Sequence, residues 1–385
     1  MMLTTPLKEP PMGKAKLAPS RETSGAEFAR PHIATAATPA EAKSGGTPTA
    51  AIRSALRALA CKSGRQGVKH LRPPVAQAHD ILRERLETGG AVEDYLRGRA
   101  RLADSAVIGL LHITSAGTQI RGDSMVAPLA AVAVGGYGRS ELAPASDLDV
   151  LFLLPEASRP RAGVSSAGTA ACVDAVVAGL WDLGFTLDHA ARSSRECLDL
   201  AHDGPAVLAG LLHRRFLWGG YGLFAALDAD VAGLFSGPDA ARWRRAVCAA
   251  LTRTRRDGSR DVQAVRDEPD VKWSPGGLRD LQRALAANPL ASGRPSALAD
   301  PTLIEAHRFL WLVRCHLHLL AGRAEDRLRS ALQPGVARRL GLDEPCGATT
   351  PARLLNRFRH HARNVLQAAR SATYPIPLTA SIEAP

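Results

Sequence analysis

The chain has 385 residues, 45% of them hydrophobic, which is enough to bury a core and to build two domains with tails. It contains no apolar run of the ~18–20 residues needed to span a bilayer and no signal-peptide core at its start, so a cytoplasmic protein without membrane contact is expected. Its net charge of +12 invites nucleic acid, but residues 1–70 carry eleven Lys/Arg against four Glu, so +7 of the +12 lies there and nucleic-acid binding is not expected.

In chain order, residues 1–70 read as a disordered basic extension rich in Ala, Pro, Thr, Ser and Gly. From Val75 to Thr114 apolar residues recur at three-to-four spacing, which predicts helices divided at Gly89-Gly90. Leu129 to Val134 reads as a buried strand, glycines break it, and Leu148 to Leu154 reads as its neighbour. A loop over Glu156 to Gly168, a helix from Thr169 to Leu183 and a strand over Phe185 to Arg192 follow. Helices are expected over Ser194–Ala201, Ala206–Leu217 and Pro238–Arg256. A second glycine pair stands in Val271-Lys272-Trp273-Ser274-Pro275-Gly276-Gly277-Leu278-Arg279-Asp280-Leu281-Gln282. Farther on, Phe309 to Arg323 reads as a buried helix with a polar strip at His307, Arg314 and His318. The six cysteines are scattered, without the spacing of a zinc cluster or a disulfide framework. His316, His318, His360 and His361 lack a carboxylate at ligand spacing and read as packing and surface residues.

The chemistry concentrates between the first two strands. Side chains two apart on a strand share a face, so Asp147 and Asp149 point the same way, with Cα atoms about 6–7 Å apart. Two carboxylates so placed can share Mg²⁺ ions of the kind that clamp phosphoryl transfer. Gly135 and Gly136, without a Cβ, let backbone N–H groups approach a triphosphate. In the second motif, Gly276-Gly277 before a helix exposes unpaired N–H groups, and Lys272 and Arg279 can neutralise phosphate oxygens.

The run Gly135-Gly136-Tyr137-Gly138-Arg139-Ser140-Glu141-Leu142-Ala143-Pro144-Ala145-Ser146-Asp147-Leu148-Asp149 resembles the signature of the DNA polymerase β nucleotidyltransferase superfamily. More narrowly, it resembles the N-terminal part of the bacterial PII uridylyltransferase/uridylyl-removing enzymes, as do the Gly276-Gly277-Leu278-Arg279-Asp280-Leu281 and Asp326-Arg327-Leu328 segments. The resemblance implies an α+β fold: a polymerase β-type nucleotidyltransferase domain with a small mixed sheet and N-terminal bracing helices over 71–235, an all-helical domain over 236–370 and a tail over 371–385. It implies Mg²⁺-dependent transfer of UMP from UTP to a PII-type signalling protein. Asp147 and Asp149 would be the catalytic metal ligands, and Asp188 a third, although such enzymes often have Gly-His where this chain has Asp188-His189. Gly135, Gly136, Arg139 and Ser146 would hold the nucleotide. The full-length enzymes continue into a metal-dependent hydrolase domain and two glutamine-sensing domains, so this stretch is expected to transfer UMP without removing it. The alternative is a catalytically weak relative that binds nucleotide or PII. It draws on departures at Trp273 and His213, where the enzymes more often carry acidic residues.

Overall fold

The computed structural model describes residues 65–120, 129–156, 166–253, 267–285, 300–342 and 351–371. Most of the expected basic extension, most of the loop after the second strand and the tail lie outside the described residues. The chain enters through α1 (Arg65–Glu87) and α2 (Val92–Ile120), which pack on each other and are parted at the expected glycine pair. Next come β1 (Ala130–Ala133), the single-turn α3 (Gly135–Gly138), β2 (Leu148–Leu154), α4 (Ser166–Asp182) and β3 (Leu187–Ser193). After these follow α5 (Ser194–Asp203), α6 (Pro205–Leu211), β4 (Arg215–Gly219), α7 (Tyr221–Ser236) and α8 (Ala240–Arg253). The rest is helical: α9 (Leu278–Leu285), α10 (Pro301–Ala321), α11 (Gln333–Arg339) and α12 (Pro351–Ser371).

The fold is therefore α+β with a small mixed sheet, in the order β3-β2-β1-β4. β1 runs antiparallel to β2 and β4, whereas β2 and β3 are parallel, with Asp149 opposite Asp188 and Leu151 opposite Ala190. Both faces of the sheet are covered, which is why β2 reads as an almost continuous apolar run interrupted only by Asp149. Ala131, Ala133, Val150 and Phe152 face the core shared with α1, α2 and α4. Ala130, Val132, Leu151 and Leu153 face a second core closed by α5 to α8. By alternation Asp147 and Asp149 belong to this second face, at the end of β2 where the covering helices leave a cleft.

Local chemistry sets the boundaries. Ser193 ends β3 and starts α5 with a capping box, its Oγ accepting from the Glu196 N–H while the Glu196 carboxylate accepts from the Ser193 N–H. Asp300 caps α10, Pro301 occupies its first position, and Gly322 closes it in the left-handed conformation. One expectation fails here. The helix foreseen over Ala206–Leu217 ends at Leu211, and Arg215–Gly219 forms the edge strand β4. The stretch from Val207 through Trp218 contains no proline to mark the break, and pairing with β1 decides the conformation of its second half. Among the described residues no helix is long and apolar enough to cross a membrane.

Candidate active site

The glycine turn is anchored before it can do chemistry. Tyr137 is fully buried, and its hydroxyl donates to Asp104 Oδ1 of α2 at 2.8 Å. Arg215 of β4 donates to both oxygens of the same carboxylate at 2.8 and 3.0 Å and stacks its guanidinium 5.4 Å from the centre of the Tyr137 ring. A Cβ on Gly138 would lie 1.7 Å from the His213 carbonyl oxygen, so only glycine lets the turn pass beneath the end of α6. Gly135 has φ +58°, and a Cβ there would lie 2.7 Å from Asp149 Oδ2. The Gly136 N–H donates to that same carboxylate. The first glycine pair thus cradles Asp149.

Arg139 follows the turn and is held by Glu141, with 2.5 Å between Nε and Oε2. His307 of α10 meets the other oxygen of Glu141 at 2.7 Å. Burial pushes the Glu141 carboxyl up, but the Arg139 guanidinium and the His307 contact outweigh it and hold the group down at about 2. Glu141 is therefore a charged strut that fixes Arg139 over the cleft.

Asp147 and Asp188 are exposed at the mouth and Asp149 is half-buried between them. Burial raises Asp149 above the usual carboxylate range, and the charges of Asp188 and Asp147 push it the same way, opposed by the Gly136 N–H and Arg139. Ser146 stands beside them on the cleft wall.

The opposite wall comes from the helical half. Lys272, Arg279 and Arg314 line the same cleft, whose volume is about 590 Å³. Burial lowers Arg279, and the neighbouring Arg139 and Arg314 lower it further, while Asp149 and Asp326 act against them. Burial likewise lowers Lys272, with Arg314 adding to the effect. Asp326 balances this cluster: it accepts from Arg314 Nε at 2.6 Å and lies 3.9 Å from Lys272 Nζ. Burial alone would raise its carboxyl, but His318 and Arg314 hold it well below the usual range. Trp273 is braced here too, with the Arg279 guanidinium 4.7 Å and the Lys272 ammonium 5.3 Å from its ring centre.

The backbone of the second motif departs from expectation. The Gly276 N–H donates to Asp280 Oδ2 at 2.7 Å, Gly277 to Ser274 O at 2.8 Å, Leu278 to Val271 O at 2.9 Å and Arg279 to Lys272 O at 3.0 Å. These N–H groups are satisfied within the motif and are not free to receive phosphate. The cleft also gathers Glu141, Arg314 and Asp326, and through them His307 and His318, none of which the sequence argument had placed in a site. The signal was present in the spacing of His307, Trp311, Arg314 and His318, which puts them on one stripe of α10.

The carboxylates suit one metal environment better than another. Among the described residues no three His, Cys, Asp or Glu side chains close into a ready-made metal site. Mg²⁺, however, keeps several waters and is commonly held by one or two carboxylates together with substrate phosphates. Asp149, raised first by burial and then by the charges of Asp188 and Asp147, is a carboxylate that such an ion would stabilise in its charged form. The donor set therefore fits Mg²⁺ bound jointly with a nucleotide.

A mixed sheet that offers aspartates at the ends of two parallel strands, entered through a glycine turn, is the framework of a nucleotidyltransferase domain. Comparison with known proteins narrows this. Residues 248–372 match the family model described as GlnD PII-uridylyltransferase. The bifunctional uridylyltransferase/uridylyl-removing enzyme of Azospirillum brasilense is 32% identical over 320 residues, covering 77% of this chain and 32% of that protein. Its counterpart in Cereibacter sphaeroides is 34% identical over 288 residues, covering 71% of this chain and 30% of that protein. The chain is thus similar over most of its length to part of the bifunctional uridylyltransferases, and its residues 248–372 match the PII-uridylyltransferase family model. It spans about a third of the length of the curated relatives it matches.

Proposed function

We propose that this chain transfers UMP from UTP to a hydroxyl of a PII-type signalling protein, with Mg²⁺ as cofactor. The observation that carries the proposal is the opposition, across one cleft, of Asp147, Asp149 and Asp188 to Arg139, Lys272, Arg279 and Arg314. A nucleoside triphosphate is the ligand class that needs both sides, since its phosphates require cations and its bound metal requires carboxylates. The uracil and the PII acceptor are supported by the family resemblance.

In this reading Asp147 and Asp149 hold Mg²⁺, and Asp188, beside Asp149 in the sheet register, is a third ligand. When bound, the ion neutralises phosphate charge and makes the attacking hydroxyl more acidic. The side chains of the chain do the rest. Arg139, oriented by Glu141, and the Ser146 hydroxyl hold phosphate oxygens on the strand side. Lys272 and Arg279 hold them on the helical side, and Trp273 keeps both cations in place by stacking. Gly135 and Gly136 contribute by fixing Asp149, since the Gly136 N–H is engaged by that carboxylate. Catalysis then comes from orientation and preorganised charge.

The test is incubation of the purified chain with a PII protein, Mg²⁺ and each nucleoside triphosphate in turn, followed by intact mass of PII. A UMP-sized addition dependent on UTP and Mg²⁺ is expected, and no addition from any nucleotide defeats the reading.

A further inference from the structure

Helix α10 meets the active-site loop at two points that the proposed chemistry does not use. Near its start, His307 grips Glu141 and through it Arg139. Near its end, His318 lies against the loop between Leu142 and Asp147, where the Ala145 N–H donates to its Nδ1 at 3.2 Å. An Nδ1 that accepts leaves the ring proton on Nε2, and Nε2 faces Asp326 Oδ1 at 3.3 Å. Asp326 in turn fixes Arg314 and attracts Lys272. One buried imidazole therefore joins the backbone two residues before Asp147 to the carboxylate that organises the opposite cationic wall.

A neighbour supplies the contrast. His316 is equally buried on the same helix, yet its Nδ1 has no partner, as befits a histidine that fills space. His318 engages both ring nitrogens, in opposite roles, with two different segments. Packing alone requires neither.

We propose that α10 splints the loop between the glycine turn and β2, and that His318 is the positioning residue that sets where Ser146 and Asp147 stand relative to Lys272 and Arg314. The catalytic consequence rests on the nucleotidyltransferase reading, whereas the mechanical one does not. Without His318 the loop keeps its carboxylates but loses its register with the phosphate-binding wall. Misplacement by about an ångström lowers turnover far more than it lowers binding.

The experiment uses the full chain and three substitutions. His318→Asn keeps an acceptor near the position of Nδ1 and gives up Asp326. His318→Gln keeps a donor near the position of Nε2 and gives up Ala145. His318→Phe gives up both. Amide exchange of the loop peptide containing Ala145 is followed by mass spectrometry, along with UTP-dependent modification of PII. With His318→Gln and His318→Phe, exchange of that amide should rise about tenfold or more while peptides of α1 and α2 stay unchanged. Turnover should fall about 10- to 100-fold, with KM for UTP moving less than about threefold. With His318→Asn, loop protection and most of the turnover should return. Unaltered Ala145 exchange in the Gln and Phe variants overturns the proposal, as does identical behaviour of the Asn and Gln variants. If His318→Phe does not fold, the Asn and Gln pair still decides. If the unaltered chain fails to modify PII whichever nucleotide is supplied, the functional reading fails while the exchange data still judge the splint.

Discussion

The chain places a glycine pair beside its cleft twice, and the two pairs carry different loads. Gly135-Gly136 wraps a carboxylate: one glycine leaves room for Asp149 and the next donates its N–H to it. Gly276-Gly277 wraps a helix. A Cβ on Gly276, at φ +80°, would lie 2.2 Å from the Ala362 carbonyl oxygen, so this glycine lets α12 approach the start of α9. The first pair holds the acid on which the proposed chemistry turns, and the second belongs to the packing beside Lys272 and Arg279. A glycine pair before a helix is thus no sign of an anion site when its N–H groups are already bonded.

The comparison can be broken most sharply at the acids. Asp147→Asn and Asp149→Asn should each lower transfer by about 10³-fold or more, because in the proposed reading they remove the charge that holds Mg²⁺ at almost constant volume. Asp149→Asn should melt no lower than the unaltered chain, since the fold already disfavours that charge. Retention of near-normal transfer in either variant, measured by mass of PII, would move the active site elsewhere.

The glycines themselves come next. Gly276→Ala should destabilise folding by about 3 kcal/mol or more through left-handed strain and backbone overlap, seen as a lower Tm. Gly135→Ala should cost transfer more than Tm, because it displaces Asp149. A Cβ on Gly136 would have 3.5 Å to its nearest neighbour, Glu141 O, so Gly136→Ala should be tolerated while Gly136→Val weakens nucleotide binding. If Gly135→Ala and Gly276→Ala lose stability and transfer in equal proportion, the distinction between the pairs collapses.

Glu141 offers a pH test of the strut. Its carboxyl is lower in the fold than in the unfolded chain, so its contribution to stability is present above the ordinary value near 4.5 and is lost as pH falls toward about 2. Denaturant melts across that window should show a loss of at most about 3 kcal/mol that Glu141→Gln removes. An unchanged pH slope in the variant would mean that Arg139 is oriented by other groups.

The smallest effects belong to the cationic wall. Lys272→Ala and Arg279→Ala should each raise KM for UTP by about tenfold, since in the proposed reading several cations share the phosphates. Equal effects on Tm and KM would instead make them supports for Trp273.

Much of this was legible without coordinates. Asp149 and Leu148–Leu154 announce themselves because a strand buried on both faces leaves an apolar run in which one acid is conspicuous. Gly138 and Tyr137 were recognisable as part of a motif, though the reason for them, a carbonyl of His213 and a carboxylate of Asp104, lies 75 and 33 residues away. β4 was read as helix because periodicity in a short apolar run does not distinguish the two, and pairing with β1 does.

By itself, then, the sequence determined the glycine turn, the acid pair and the helical character of the second half, since these depend on local spacing and backbone preference. Tertiary structure alone decided that Lys272, Arg279 and Arg314 face those acids, that the second glycine pair has no free N–H groups, and that His318 joins loop to wall while His316 merely packs. The physical reason is that charge and hydrogen bonding act through space. Two histidines one turn-fraction apart look alike in the chain, and only what folds against each ring nitrogen separates them.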